Sequence, residues 1–351
     1  MDKWIRLAHP FFSDNIEKKV GEVIRSGNLV QGEKAKQFEE SIAGYLGIEN
    51  AIATSSGTSA LHLSLLALGI GRGDEVIVPA YTFLATVNVV EMVGATPVFV
   101  DIGYDYCIDP LIIEDKITER TKAIIVVHEF GVCADMNPIM KLAEKYKLKV
   151  IEDAACALGA KYHRSKAGTI GHVGCFSFHP RKIITTGEGG VIVTSDSEMT
   201  INLRALRNHG IGEGFYFPGL NYRMTEISAV LGLDQLTMID EIIKTRAHQA
   251  RYYDTVLGAR DDFWWITRTD SHQSYCIETS NKNFVSDMRS HGIETGRASW
   301  GICETNYYKQ KYKSECPIAS YMHHNLYSLP IGTHLSLKEI DYICQKVKLC
   351  K

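Results

Sequence analysis

GCFSFHPRKIITTGEGGVIVT, residues Gly174 to Thr194, sets one lysine, Lys182, between an aromatic run and a tight Thr-Thr-Gly-Glu-Gly-Gly turn. Most lysines lie on solvated faces among other charges. Lys182 is instead hemmed by Phe176, Phe178, Ile183 and Ile184. Burial in apolar surroundings lowers a lysine pKa, and a neutral amine attacks carbonyl carbon. The flanking runs, Cys175–Phe178 and Gly190–Thr194, read as strands. Gly187-Glu188-Gly189-Gly190 looks like part of a dinucleotide loop, but a strand follows it where that loop needs a helix, which argues against a nicotinamide site.

Upstream, the pattern repeats. Apolar β-branched runs at Ala51–Thr54, Glu75–Val78, Pro97–Val100, Ala123–Val127 and Lys149–Ile151 alternate with helical-period stretches at Ala60–Leu68, Phe83–Val93 and Ile139–Tyr146. Runs that are nearly all Val and Ile belong to strands covered on both faces, so the alternation predicts a mostly parallel seven-stranded α/β sheet with helices on both sides. Ligands of such sheets gather at the carboxyl ends of the strands. Before the sheet, Asp14–Gly32 reads as an amphipathic helix ended by Ser26-Gly27-Asn28, and Glu33–Leu46 as a second helix. After it, Thr225 to about Leu257 reads as one long helix with a possible break near Gly232. Phe263–Ile266, Ser274–Ile277, two short helices and Leu337–Lys348 suggest a smaller α+β domain. The expected division is 1–235, including an N-terminal helical arm at 1–32, and 236–351.

Composition bounds the rest. Among 351 residues, 45% are hydrophobic and 23% charged, and the net charge of −3 offers no basic stripe, so nucleic acid is not expected as a partner. No apolar run approaches the ~18 residues a membrane span needs. The opening MDKWIRLAHPFF does not have the form of a secretion signal. Nine scattered cysteines with no zinc-finger spacing fit a reduced, cytoplasmic setting, free buried thiols and no structural metal.

Four features then fall at strand ends. Thr54-Ser55-Ser56-Gly57-Thr58-Ser59 follows a strand and opens a helix, an arrangement that binds phosphate or simply caps the helix. Pro79-Ala80-Tyr81-Thr82-Phe83 offers a ring to stack on a flat cofactor, or a core aromatic. Asp153 ends the strand in Val150-Ile151-Glu152-Asp153, where a carboxylate can keep a pyridine nitrogen protonated or cap a helix. Ser177, five residues before Lys182, is a phosphate donor or merely a small sheet residue. Each alternative is ordinary alone. Together, phosphate loop, ring, aspartate and lysine on successive strands describe a site for pyridoxal phosphate.

The chain closely resembles the DegT/StrS-type family of pyridoxal-phosphate-dependent sugar aminotransferases, which has the type I aspartate aminotransferase fold. The resemblance rests on SGNLVQG (Ser26–Gly32), SSGTSALHL (Ser55–Leu63), GDEVIVPAYTF (Gly73–Phe83), GATPVFVDI (Gly94–Ile102), IEDAACALGA (Ile151–Ala160), FSFHPRKIITTGEGG (Phe176–Gly190), GLNYRMTEISA (Gly219–Ala229) and SLPIGTHLS (Ser328–Ser336). It implies that Lys182 holds the cofactor covalently and shuttles protons, and that Asp153 pairs with the pyridine nitrogen. Gly57, Thr58, Ser59 and Ser177 would hold the phosphate, and Phe83, with Tyr81 as its neighbouring candidate, would stack on the ring. Asn221 would reach the phosphate of the other subunit, so a homodimer with shared sites is implied. Cys156 stands where the family often has Gln or His at the cofactor, and a thiol is a poorer hydrogen-bond partner. Trp300–Tyr308 departs from the usual Pro-x-His pattern.

The implied reaction is transfer of an amino group from L-glutamate to a nucleotide-linked keto sugar, a 4-keto-6-deoxyhexose, with a 3-keto sugar as the alternative. The family's dehydratases carry histidine where Lys182 stands, which disfavours dehydration. A cofactor-binding regulator would want a DNA-binding module, and none is evident. His179, three residues before Lys182, is open between substrate contact and loop support.

Overall fold

Seven β-branched runs assemble into one sheet. The computed structural model describes residues 4–212, 215–258, 269 and 271–350. The strands are β1 (Asn50–Thr54), β2 (Glu75–Pro79), β3 (Thr96–Val100), β4 (Thr121–Val127), β5 (Lys149–Asp153), β6 (Val173–Ser177) and β7 (Gly190–Thr194). Their spatial order is β1-β7-β6-β5-β4-β2-β3. β7 is antiparallel to both neighbours and every other pairing is parallel, so six strands point one way and deliver their carboxyl ends to one edge.

Alternation along each strand supplies both faces. Ile52, Val76, Val78, Ile125 and Ile192 pack with α3 (Gly57–Ala67), α4 (Leu84–Met92) and α6 (Ser197–Arg207). On the opposite face, Ala51, Ala53, Phe176 and Val191 meet α2 (Glu33–Leu46) and α7 (Glu226–Leu236), while Ile124, Val126 and Val150 meet α5 (Met136–Tyr146). Two covered faces explain why these runs contain almost no polar residues.

The first helix, α1, covers Ile16–Ser26 and stops at left-handed Gly27, within the Ser-Gly-Asn expected to end it. One helical expectation changes. The long C-terminal helix is two: α7, and α8 (Ile239–Leu257), separated at Thr237–Met238. Gly232 is not the break. It lies inside α7, where a Cβ would come within 2.5 Å of the Phe38 ring, so the glycine serves close packing against α2.

Beyond α8, Tyr275–Glu278 (β8), Gly296–Arg297 (β9) and Leu326–Leu329 (β10) form an antiparallel sheet in the order β8-β10-β9. Its core stacks Tyr253 on Tyr275 and is closed by α12 (Leu337–Leu349) through Ile340, Ile343 and Val347. Three short helices, α9 (Phe284–Ser290), α10 (Asn306–Tyr312) and α11 (Pro317–Asn325), lie in this region, one more than expected. The expected strand Phe263–Ile266 lies outside the described residues. The segment is tied back to the large sheet: Trp300 pairs with Thr82 and Gly301 with Tyr81, and the Ile302 N–H donates to Ala80 O at 2.7 Å.

Candidate active site

The carboxyl ends of β1, β2, β4, β5 and β6 surround a cavity of about 550 Å³. Gly57, Thr58, Phe83, Asp153, Cys156, Ser177 and Lys182 all line it. Sequence positions spread over 126 residues thus converge because parallel strands share one exit edge.

The Lys182 loop is held from several sides. Phe178 N–H donates to Gly189 O, and Thr186 N–H donates back to Phe178 O at 3.0 Å. Thr185 Oγ1 also donates to Phe178 O, and Thr185 N–H donates to Gln235 Oε1 of α7. Lys182 Nζ donates to Cys156 Sγ at 3.0 Å. Burial alone pushes this amine down. The adjacent Cys156 sulfur and the carboxylates of Asp153 and Glu129 outweigh burial, so the amine is held above the ordinary lysine range. This reverses the expectation that burial brings Lys182 toward neutrality: the apolar neighbours visible in sequence are joined in space by acids from other strands. Burial pushes the Cys156 thiol up, which keeps it a thiol.

Asp153 is 5% exposed. Thr86 Oγ1 donates to its Oδ2 at 2.8 Å, and Ala155 N–H donates to its Oδ1 at 3.1 Å. Burial raises its carboxyl above the usual aspartate range, against those two hydrogen bonds and the Lys182 and His128 charges. Beneath it, Glu152 binds His128 Nε2 at 2.7 Å and accepts from the backbone of Gly168, Ile170 and Gly171, which stiffens the strand ends.

The N-terminus of α3 faces the same cavity. Ser56 caps it by accepting from Ser59 N–H at 3.0 Å. A Cβ on Gly57 would lie 2.7 Å from Ser177 Cβ, so only glycine lets the helix start this close to the end of β6. Ser59 is placed differently from its neighbours: it is buried, and its hydroxyl lies against Ser55 and Ser56 within the cap. Ser56, which the sequence reading left among the cap residues, lines the cavity instead. Of the two ring candidates, Tyr81 is fully buried with its hydroxyl accepting from Ser299 N–H, whereas Phe83 is 62% exposed at the cavity. Asn221 is on the surface, where its Oδ1 accepts from Arg223 Nε at 3.0 Å, and it does not line the cavity.

His179 lines the cavity and also accepts from Arg181 N–H at 3.2 Å, so it supports the loop; burial lowers its pKa. Of residues 300–308, Trp300 reaches the cavity, while Tyr308 packs on Phe99. Glu129, Arg246 and Ser299 also line it and were not anticipated. Glu129 lies just beyond apolar β4, and the strand-end rule that picked out Asp153 would have found it. Among the described residues, no group of three or more His, Cys, Asp or Glu side chains could hold a metal, and no helix is long and apolar enough to cross a membrane.

These residues fit pyridoxal phosphate. A glycine-cleared helix N-terminus suits a phosphate, a cavity-facing phenyl suits a flat ring, a buried carboxylate suits a pyridine nitrogen, and an amine suits an aldehyde. Fold and site together define an enzyme that handles amines through a carbonyl cofactor. The chain belongs to the DegT/DnrJ/EryC1/StrS aminotransferase family, whose model matches residues 11–348. A GDP-perosamine synthase of Caulobacter vibrioides is 41% identical over 278 residues, 74% of each chain. A UDP-N-acetyl-3-dehydro-alpha-D-glucosamine 3-aminotransferase of Acidithiobacillus ferrooxidans is 36% identical over 349 residues, 95% of this chain and 93% of its own. Among solved structures, Spr1654 of Streptococcus pneumoniae in its PMP form superposes with a TM-score of 0.94 at 28% identity, covering 99% of this chain and 97% of that one.

Proposed function

We propose that this aminotransferase moves an amino group from L-glutamate to the keto carbon of a nucleotide-linked sugar, a 4-keto-6-deoxyhexose, as a homodimer in the cytoplasm. Its cofactor is pyridoxal 5′-phosphate. The observation that carries the reading is the meeting of Lys182, Asp153 and the α3 N-terminus in one cavity, with Arg181 and Arg297 also on its lining to receive anionic groups. The two relatives above are named for GDP- and UDP-linked sugars, which supports a nucleotide-sugar substrate. The second relative's name also supports the alternative, amination at a 3-keto carbon.

When bound, the cofactor supplies an aldehyde that holds the migrating nitrogen and a ring that takes up the electron pair left at carbon. The chain's residues do the rest. Gly57, Thr58, Ser177 and the backbone N–H groups at the α3 N-terminus anchor the phosphate, with Ser59 as the brace of their cap. Phe83 would lie against the ring. Asp153, pinned by Thr86 and Ala155, would keep the ring nitrogen protonated. Lys182 would hold the group through its amine and, once freed, would hold and move the proton at the substrate carbon. Cys156 holds the Lys182 amine in place through its sulfur.

Asn221 contributes to the partner subunit's site in this reading. Its surface position and the exposed apolar residues Leu29, Val30 and Phe83 support an interface there. The test is a half-reaction: purified holoenzyme is mixed with L-glutamate and its visible absorbance and released 2-oxoglutarate are followed. Bleaching with stoichiometric 2-oxoglutarate is expected. If alanine or glutamine bleaches it and glutamate does not, the donor is wrong. A panel of 3-keto and 4-keto nucleotide sugars then decides the acceptor.

A further inference from the structure

Glu129 is a second carboxylate of the site that the reaction above does not use. It is 4% exposed, yet it lines the cavity. Its placement is built by an unusual turn. Immediately after it, Phe130 is held left-handed at φ 56°, followed by Gly131 at φ 94°. A bulky side chain in that region is an outlier that packing must enforce, and such outliers concentrate at functional sites. The enforcing contacts are the rings of Tyr81 and Tyr106 against Phe130.

The groups that face Glu129 come from every neighbouring element. They are Lys182 from the β6–β7 loop, Asp153 and Cys156 from the end of β5, Tyr81 after β2, Cys107 after β3 and Cys276 of β8. Lys182 is the one cation among them. The hydrogen-bonding partner of the Glu129 carboxylate is Ser299, whose own N–H is fixed to the Tyr81 hydroxyl at 3.1 Å. Asp153 is already committed to Thr86, to Ala155 N–H and, with cofactor bound, to the ring nitrogen. Glu129 is therefore the carboxylate left to act on Lys182.

We propose that Glu129 poises Lys182: its carboxylate keeps the lysine nitrogen protonated, and its protonation releases that nitrogen as a base. The coupling acts through the charge field of the shared cavity and needs no direct bond: with Glu129 ionised the nitrogen keeps its proton, and when Glu129 takes up a proton the nitrogen gives one up, so the net charge does not change. Glu129 is thus a positioning residue that acts through Lys182. Its carboxyl is pushed up to about 7 by burial, against the Ser299 hydrogen bond and the Lys182 charge, so both states are accessible near neutral pH. The inference rests on Lys182 carrying the cofactor.

The test is a pH titration of the visible absorbance of the holoenzyme, with no substrate added. Glu129→Gln is expected to move the transition to lower pH by about one unit or more, the usual scale for losing an opposite charge beside a buried group. Glu129→Asp should restore part of the shift. Ser299→Ala, which leaves the carboxyl in place but removes its hydrogen bond, should move the transition the same way by less. An unchanged transition in cofactor-loaded E129Q overturns the proposal. A visible transition that survives in Lys182→Ala instead overturns the assignment of Lys182, which separates the two failures.

Discussion

Asp153 and Glu129 are both acids at the exits of neighbouring parallel strands, and both are almost wholly buried. Their surroundings differ. Asp153 ends β5 and is gripped by a hydroxyl and a backbone N–H, which hold it as a fixed counter-charge. Glu129 lies past the end of β4, on a turn that leaves helical and strand geometry, with Ser299 as its hydrogen-bond donor. Burial raises both carboxyls, but two donors oppose it at Asp153 and one at Glu129, whose carboxyl is pushed up to about 7. The comparison assigns a static role to one acid and a titrating role to the other.

The largest expected effect comes from Asp153→Asn, which removes the fixed charge. The L-glutamate half-reaction should slow by about 10²–10³-fold, the usual scale for losing one preorganised electrostatic partner. If this variant were nearly wild type while E129Q lost activity on that scale, the two roles would have to be exchanged.

Next comes the pH dependence of stability. A carboxyl whose folded pKa lies above its unfolded value binds its proton more tightly when folded, so its contribution is intact below the unfolded pKa and lost as pH rises through the folded one. For Glu129 that window runs from 4.5 to about 7. Across it, the stability of E129Q apoprotein should gain on wild type by about 3 kcal/mol. Denaturant melts at the two ends of the window measure this, and a constant difference would place the Glu129 pKa in the ordinary range. Thr86→Val should cost about 2 kcal/mol of folding stability by stripping a hydrogen bond from a buried carboxylate. It should also slow the half-reaction and move the holoenzyme's spectral transition less than E129Q does, whereas a shift as large as that of E129Q would give Asp153 the same role toward Lys182. The smallest effect belongs to Cys156→Ala, which loses one weak hydrogen bond and should slow the half-reaction less than about tenfold.

The sheet and most of the site were legible because the signals are local. A Val/Ile run marks a doubly covered strand wherever it occurs, and each of the seven expected runs lies in the final sheet with ends shifted by three residues or fewer. Gly57 could be read because a glycine between a strand and a helix start has few other uses. What was not legible depends on partners distant in sequence. Thr86 reaches Asp153 across 67 positions, and the acids that raise the Lys182 pKa arrive from β4 and β5. The α7–α8 junction was misplaced because glycine's low helix propensity was the visible cue, whereas Gly232 is held in α7 by its packing on Phe38. Ser59 illustrates the same limit on a smaller scale: its neighbours face the cavity, and only the geometry of the cap turns its hydroxyl away.

Everything in this account turns on Lys182 as the amine that holds the cofactor. Borohydride reduction of the holoenzyme followed by peptide mass spectrometry tests it most directly. The account predicts a single phosphopyridoxyl adduct on the peptide containing Lys182; an adduct on any other lysine, with Lys182 unmodified, would contradict it.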